Sequence, residues 1–169
     1  VNIMRYKSVI AVIPFLVFAA ACSDSAVEAS VADEQAMLLA AMRYETSRFV
    51  SEQYDFVTFA MREGAVPIDR SHTEHTAAAD WVYERIGATE LPVRHFNNCR
   101  VHVGGVFHPD FDGLGIAIWC GSITLTSADS AVLYAGYFSG GLASQGDLLR
   151  LHRENRTWRV VSHRCVWLS

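Results

Sequence analysis

The chain has 169 residues, 51% of them hydrophobic, with 18 acidic side chains against 14 basic ones and a formal net charge of −4. Such a balance argues against general affinity for nucleic acid, which needs a surplus of basic side chains to displace counterions. The length suits one domain built around one core.

Residues 1–21 read as an export signal, in which Arg5 and Lys7 form a basic start and 9–21 an unbroken apolar run. Met4 is a more natural start than Val1. The run is shorter than the roughly 20 residues needed to cross a bilayer core, so it is not a permanent span. Its end, Ala19-Ala20-Ala21-Cys22, resembles the lipobox of bacterial lipoproteins, which implies cleavage before Cys22 and lipid attachment to its sulfur. Ala19-x-Ala21 also suits ordinary signal cleavage, and the alternative is a plain secreted or periplasmic protein. Each buried methylene of an acyl chain contributes about 0.8 kcal/mol, so an acylated Cys22 would anchor the domain on the periplasmic side without further contacts. The acidic, small-residue stretch 22–32 then serves as a tether, and 33–169 as a single α+β domain.

Without the signal, 18 acidic residues face 12 arginines and no lysine. Charge is uneven along this part: 22–63 holds eight acidic residues and three arginines, whereas 150–164 holds five arginines and only Glu154. Arg153, Arg156 and Arg159 are therefore candidates for contact with an anionic partner; outward arginines guarding an edge strand are the blander alternative.

Along the domain, Leu39, Met42, Phe49, Phe56 and Ala60 recur at helical spacing and predict an amphipathic helix over 31–61, started by Asp33 and ended before Gly64 and Pro67. The aromatic and β-branched content of 54–61 leaves open a break near Tyr54 followed by a short strand. Ala77, Ala78, Trp81, Val82 and Arg85 predict a second helix over 73–86, stopped by Gly87. After Pro92 come short β-rich runs at 100–107, 114–125, 131–139, 147–153 and 158–168, with a sixth expected at 93–96. Turn residues separate them, as in Asp112-Gly113, Gly140-Gly141 and Asn155-Arg156. The expectation is α+β: N-terminal helices packed on a curved antiparallel sheet of about five strands.

Candidate chemistry rests on imidazoles and carboxylates. His72 and His75 flank Glu74, and His95, His102 and His108 follow, but the spacing matches no metalloprotease or zinc-finger pattern, and no metal or other cofactor is expected. His108, Asp110 and Asp112 share one loop, which serves equally well as a turn. Cys99, Cys120 and Cys165 remain once Cys22 is set aside, and in an oxidising envelope two of them are expected to form a disulfide, the pair being undetermined. Trp81, Trp119, Tyr134, Tyr137, Phe138, Trp158 and Trp167 supply core packing or the wall of an apolar pocket. One aromatic side of strand 131–139 lacks an evident cover, and a homodimer through the sheet would provide one.

Leu149-x-Leu151-x-Arg153-Glu154-Asn155 followed by Trp158-Arg159-Val160-Val161-Ser162-His163 resembles the final hairpin of NTF2-like domains, the cystatin-like α+β roll that includes ketosteroid isomerases and polyketide cyclases. The resemblance covers roughly the last 55 residues, with Arg156 where the family turn has glycine. It implies a long helix lying across a bent sheet. Two functions follow. The first is an exported envelope lipoprotein that binds a small apolar ligand or an envelope protein without catalysis. The alternative is a pocket enzyme of isomerase or cyclase type, with a His/Asp proton shuttle drawn from His108, Asp110 and Asp112 beside Tyr137.

Overall fold

A computed structural model of the chain describes residues 29–49, 53–62, 75–140 and 143–168. The export signal, Cys22, most of the tether, His72, Gly64 and Pro67 lie outside the described residues. Among those that are described, no helix is long and apolar enough to cross a membrane.

The fold is α+β, with helix α1 (Val31–Thr46) packed on a mixed, mostly antiparallel sheet. Ser30, not Asp33, caps α1: its extended backbone precedes the helix and its Oγ accepts the Asp33 N–H at 3.1 Å, while its hydroxyl donates to the Asp33 carboxylate at 2.9 Å. The helix stops one turn after Met42, far short of residue 61. Ser47 Oγ donates to Tyr44 O at 2.7 Å, the carbonyl that the Arg48 N–H would use in a continuing helix, and that N–H donates to Glu45 O at 3.2 Å instead. The chain then enters strand β1 (Phe56–Arg62), the break-and-strand alternative for this stretch.

Strand β2 (His75–Ala77) pairs antiparallel with β1, and helix α2 is confined to Asp80–Arg85. The first described residues of the expected helix over 73–86 are thus strand, because His75, Thr76 and Ala77 pair with the edge of β1. Val93 makes only an isolated bridge to Val57, and Phe96–Asn98 forms a 3₁₀ turn where a sixth strand was expected. Run 100–107 splits into strands β3 (Arg100–His102) and β4 (Gly105–Phe107); Val103 and Gly104 form the turn between them, and Gly105 enters β4 at φ +148°.

The meander that follows matches expectation closely: β5 (Gly115–Ser127), β6 (Ser130–Gly140), β7 (Ala143–Glu154) and β8 (Thr157–Leu168), each antiparallel to the next. The sheet order is β2-β1-β5-β6-β7-β8, with β4 joined to β5 and β3 to β4. Among the described residues, eight strands replace the expected five or so. The sheet is mixed because β1 runs parallel to β5, from Phe56 opposite Gly115 to Met61 opposite Cys120.

Alternation along the strands divides the apolar side chains between two faces. On the helix side, Met37 and Met42 of α1 pack on Val57, Phe59, Ile116, Ile118, Leu133, Leu149 and Leu151. On the other side, Phe56, Val106, Ala117 and Phe138 form a second cluster, against which Phe96, Cys99, Val101 and Phe111 pack. The chain's own β3–β4 hairpin and neighbouring loops therefore cover the aromatic side of β6 at Phe138.

The expected disulfide is absent: Cys99, Cys120 and Cys165 are all free. Register explains it for one pair. Cys120 lies opposite Ala135, Ala135 opposite Asp147, and Asp147 opposite Cys165, which places the two cysteines three strands apart. At about 4.8 Å per strand that is about 14 Å, against a limit near 7 Å for bridging. Cys99 packs on the second cluster, on the other face from Cys120.

Candidate functional site

Helix α1 carries two clusters of charge within two turns. The first is a cleft of about 460 Å³ between the exposed side of α1, the end of α2 and the β7–β8 turn. Arg43, Tyr44, Arg85, Arg156, Trp158 and Arg159 line it, and no acidic residue does. Two of these arginines are structural. Arg43 donates from Nε to Ile86 O at 2.7 Å and from Nη2 to Arg85 O at 2.6 Å, so it caps the carbonyl end of α2. Arg85 donates to Gln35 Oε1 at 2.9 Å and lies 5.8 Å from the Trp81 ring.

Arg156 and Arg159 have neither an ion pair nor a side-chain hydrogen bond among the described residues. Arg156 also occupies a strained backbone position. Glu154 pairs with Thr157, leaving Asn155 and Arg156 as a two-residue turn with φ of 48° and 65°. Both angles are those of a turn that favours Asn-Gly, so arginine stands where glycine would be relaxed.

Arg153, grouped with these two from sequence, is occupied internally. Its Nε donates to Asp129 Oδ1 at 2.8 Å and its Nη1 to Asp33 Oδ1 at 3.1 Å, and it lies 5.4 Å from the Trp158 ring. Trp158 Nε1 donates to the same Asp33 oxygen at 3.1 Å. The Trp158 indole and the Ser30 hydroxyl, with a smaller effect of Arg153, hold the Asp33 carboxyl below its ordinary range. The start of α1 is thereby tied to the hairpin that carries the two free arginines.

The second cluster lies one turn further on, under α1. Glu45 and Asp147 are both fully buried, and Arg48 Nη1 reaches each: it donates to Glu45 Oε2 at 2.8 Å and to Asp147 Oδ2. Gln145 Nε2 donates to both Asp147 oxygens, at 2.7 and 2.8 Å. Glu45 Oε1 is buried without a hydrogen-bond partner. Burial, with a further push from Asp147 and a counter-pull from Arg48, raises the Glu45 carboxyl to about 7.

Around it, Tyr44 OH meets His163 Nδ1 at 2.5 Å, and Phe49 packs edge-on against Tyr137 with ring centres 4.7 Å apart. Burial pushes the hydroxyls of Tyr44 and Tyr137 and the Cys120 thiol upward, so these groups stay neutral.

The loop residues chosen from sequence do not join either cluster. His108 is buried against Phe56 and Phe111, on the face opposite α1, and its Nδ1 accepts the Asp110 N–H at 3.2 Å. Asp110 and Asp112 are exposed. Tyr137 packs against the core under α1, so the four are not brought together. Of the other candidate histidines, His95 pairs with Asp80 at 3.1 Å and stacks on Tyr83, His102 stacks on Phe107, and the His75 ring lies 5.9 Å from that of Trp119. Among the described residues no group of three or more His, Cys, Asp or Glu side chains is placed to hold a metal ion.

No family model matches the chain, and neither a curated protein nor a solved structure matches it.

The buried carboxylates escaped sequence reasoning although each left a trace. Asp147 alternates in register with Leu149 and Leu151, which puts a charge on the buried side of β7. Glu45 and Arg48 are spaced to meet near one end of a helix.

Proposed function

We propose that this chain is an exported, membrane-anchored binding protein, acylated at Cys22, that takes an anionic ligand or the acidic segment of an envelope partner in the cleft between α1 and the β7–β8 turn. The observation that carries the reading is the pair Arg156 and Arg159: two cations without partners, in a cleft with no acidic wall, one of them held at a backbone angle unfavourable to it. Strain retained at an exposed turn points to a demand other than stability. Tyr44 and Val160, both half-buried, give the cleft apolar surface beside the charge, which suits a ligand with a planar or apolar part. A long helix ahead of the antiparallel meander β5–β8 also supports the NTF2-like roll as the parent architecture.

A short polyglutamate peptide is the direct probe. Replacing Arg156 and Arg159 together by glutamine should weaken its binding at low salt by about 10-fold or more and flatten the salt dependence, with folding intact. Unchanged affinity and salt dependence in that variant would remove the cleft as the binding site.

A further inference from the structure

Where α1 meets β7, two carboxylates share one arginine. Asp147 takes three donations, two from Gln145 and one from Arg48, whereas Glu45 takes one, from the same Arg48 nitrogen, and its Oε1 takes none although that atom is out of contact with water. One cation balances one carboxylate, so the neutral state of this cluster carries a proton. The distribution of donors assigns that proton to Glu45.

We propose that Glu45, Arg48 and Asp147 form a proton-operated latch, which holds the last turn of α1 on the sheet while Glu45 is protonated and loosens it when the proton leaves. The latch is independent of whatever the arginine cleft binds.

The groups around Glu45 leave few ways to offset a second negative charge. From α1 it is faced by Tyr44, from the turn after α1 by Arg48, from β5 by Cys120 and from β7 by Asp147; Tyr137 of β6 and Cys165 of β8 lie beyond Asp147. Burial keeps the Cys120 thiol and the two tyrosine hydroxyls neutral, and His163 is turned to Tyr44. Arg48 is then the only cation within reach of both carboxylates among the described residues, and its side chain is one-quarter exposed, so the cluster exchanges protons with solvent. Ionised Glu45 would leave a buried site with two anions and one cation, which favours movement of the helix end toward water.

The direction of the pH effect follows from linkage. Glu45 stands at about 7 in the folded chain and at 4.5 without its surroundings, so between those values the folded state holds a proton that the unfolded state has lost. Stability from this group is fully present below about 4.5, falls as pH rises to about 7, and is level above that.

The test is urea unfolding from about pH 4 to about pH 8 on the wild type, Glu45→Gln and Asp147→Asn. The wild-type folding constant should fall on the order of 100-fold more across the window than that of Glu45→Gln, which keeps the shape of the side chain and cannot ionise. In Asp147→Asn, Arg48 serves Glu45 alone, and the fall should move to lower pH. Hydrogen exchange of the α1 amides, corrected for the intrinsic pH dependence of exchange, should show the last turn opening with rising pH in the wild type; this readout decides the matter if a variant does not fold. An equal fall in wild type and Glu45→Gln, or α1 protection that does not change with pH, would overturn the latch.

Discussion

The two charged clusters beside α1 hold arginine under opposite conditions. In the cleft, Arg156 and Arg159 stand at the surface without partners, and water makes that tolerable. Under the helix, Glu45 and Asp147 are buried with one arginine between them, and there an uncompensated charge is expensive, so the shortfall is met by a proton. Solvent access, more than the count of charges, decides whether a surplus is available for binding or must be neutralised inside the fold. The difference is sharpened by Arg153, which has the sequence context of the cleft arginines but is held by Asp33 and Asp129.

Substitutions that exchange these conditions should separate the clusters. The largest effect is expected from Arg48→Met, which keeps the apolar stem but leaves both buried carboxylates without a cation. It should lower unfolding stability by about 3 kcal/mol, measured by urea titration near neutral pH, with partial recovery in acid as the carboxylates protonate. Arg153→Ala comes next, with a smaller loss of thermal stability and faster hydrogen exchange at the start of α1, since Asp33 and Asp129 each lose a partner at a solvated site. A loss as large as that of Arg48→Met would show that the hairpin tie is no surface feature. The smallest change carries the opposite sign: Arg156→Gly relieves a positive φ and should raise stability by about 1 kcal/mol in the same titration.

The contrast also explains what was legible in the sequence. Strands β5 to β8 could be read because each is a long β-rich run closed by turn residues, and consecutive pairing needs no distant information. The parallel pairing of β1 with β5 could not, because it joins residues about sixty positions apart across a connection that includes α2 and strands β2 to β4. The helix end at Thr46 is marked by the Ser47 hydroxyl on Tyr44 O, a hydrogen bond invisible to periodicity. Arg156 and Arg159 were legible from charge density alone. Glu45 and Asp147 were not: Asp147 shares a strand face with Leu149 and Leu151, but its partners come from the end of α1, and only the packing of α1 on β7 brings them together. The loop of His108, Asp110 and Asp112 shows the converse: proximity in sequence gave a cluster that the strand faces keep away from Tyr137.

Binding of a short polyglutamate peptide to Arg156→Gly at low ionic strength tests most directly whether the unpartnered charge of the cleft exists for a ligand. A binding role predicts affinity reduced by about 10-fold in a variant that is at least as stable as the wild type. Affinity equal to that of the wild type would contradict it and leave Arg156 as a strained turn residue without a function in the cleft.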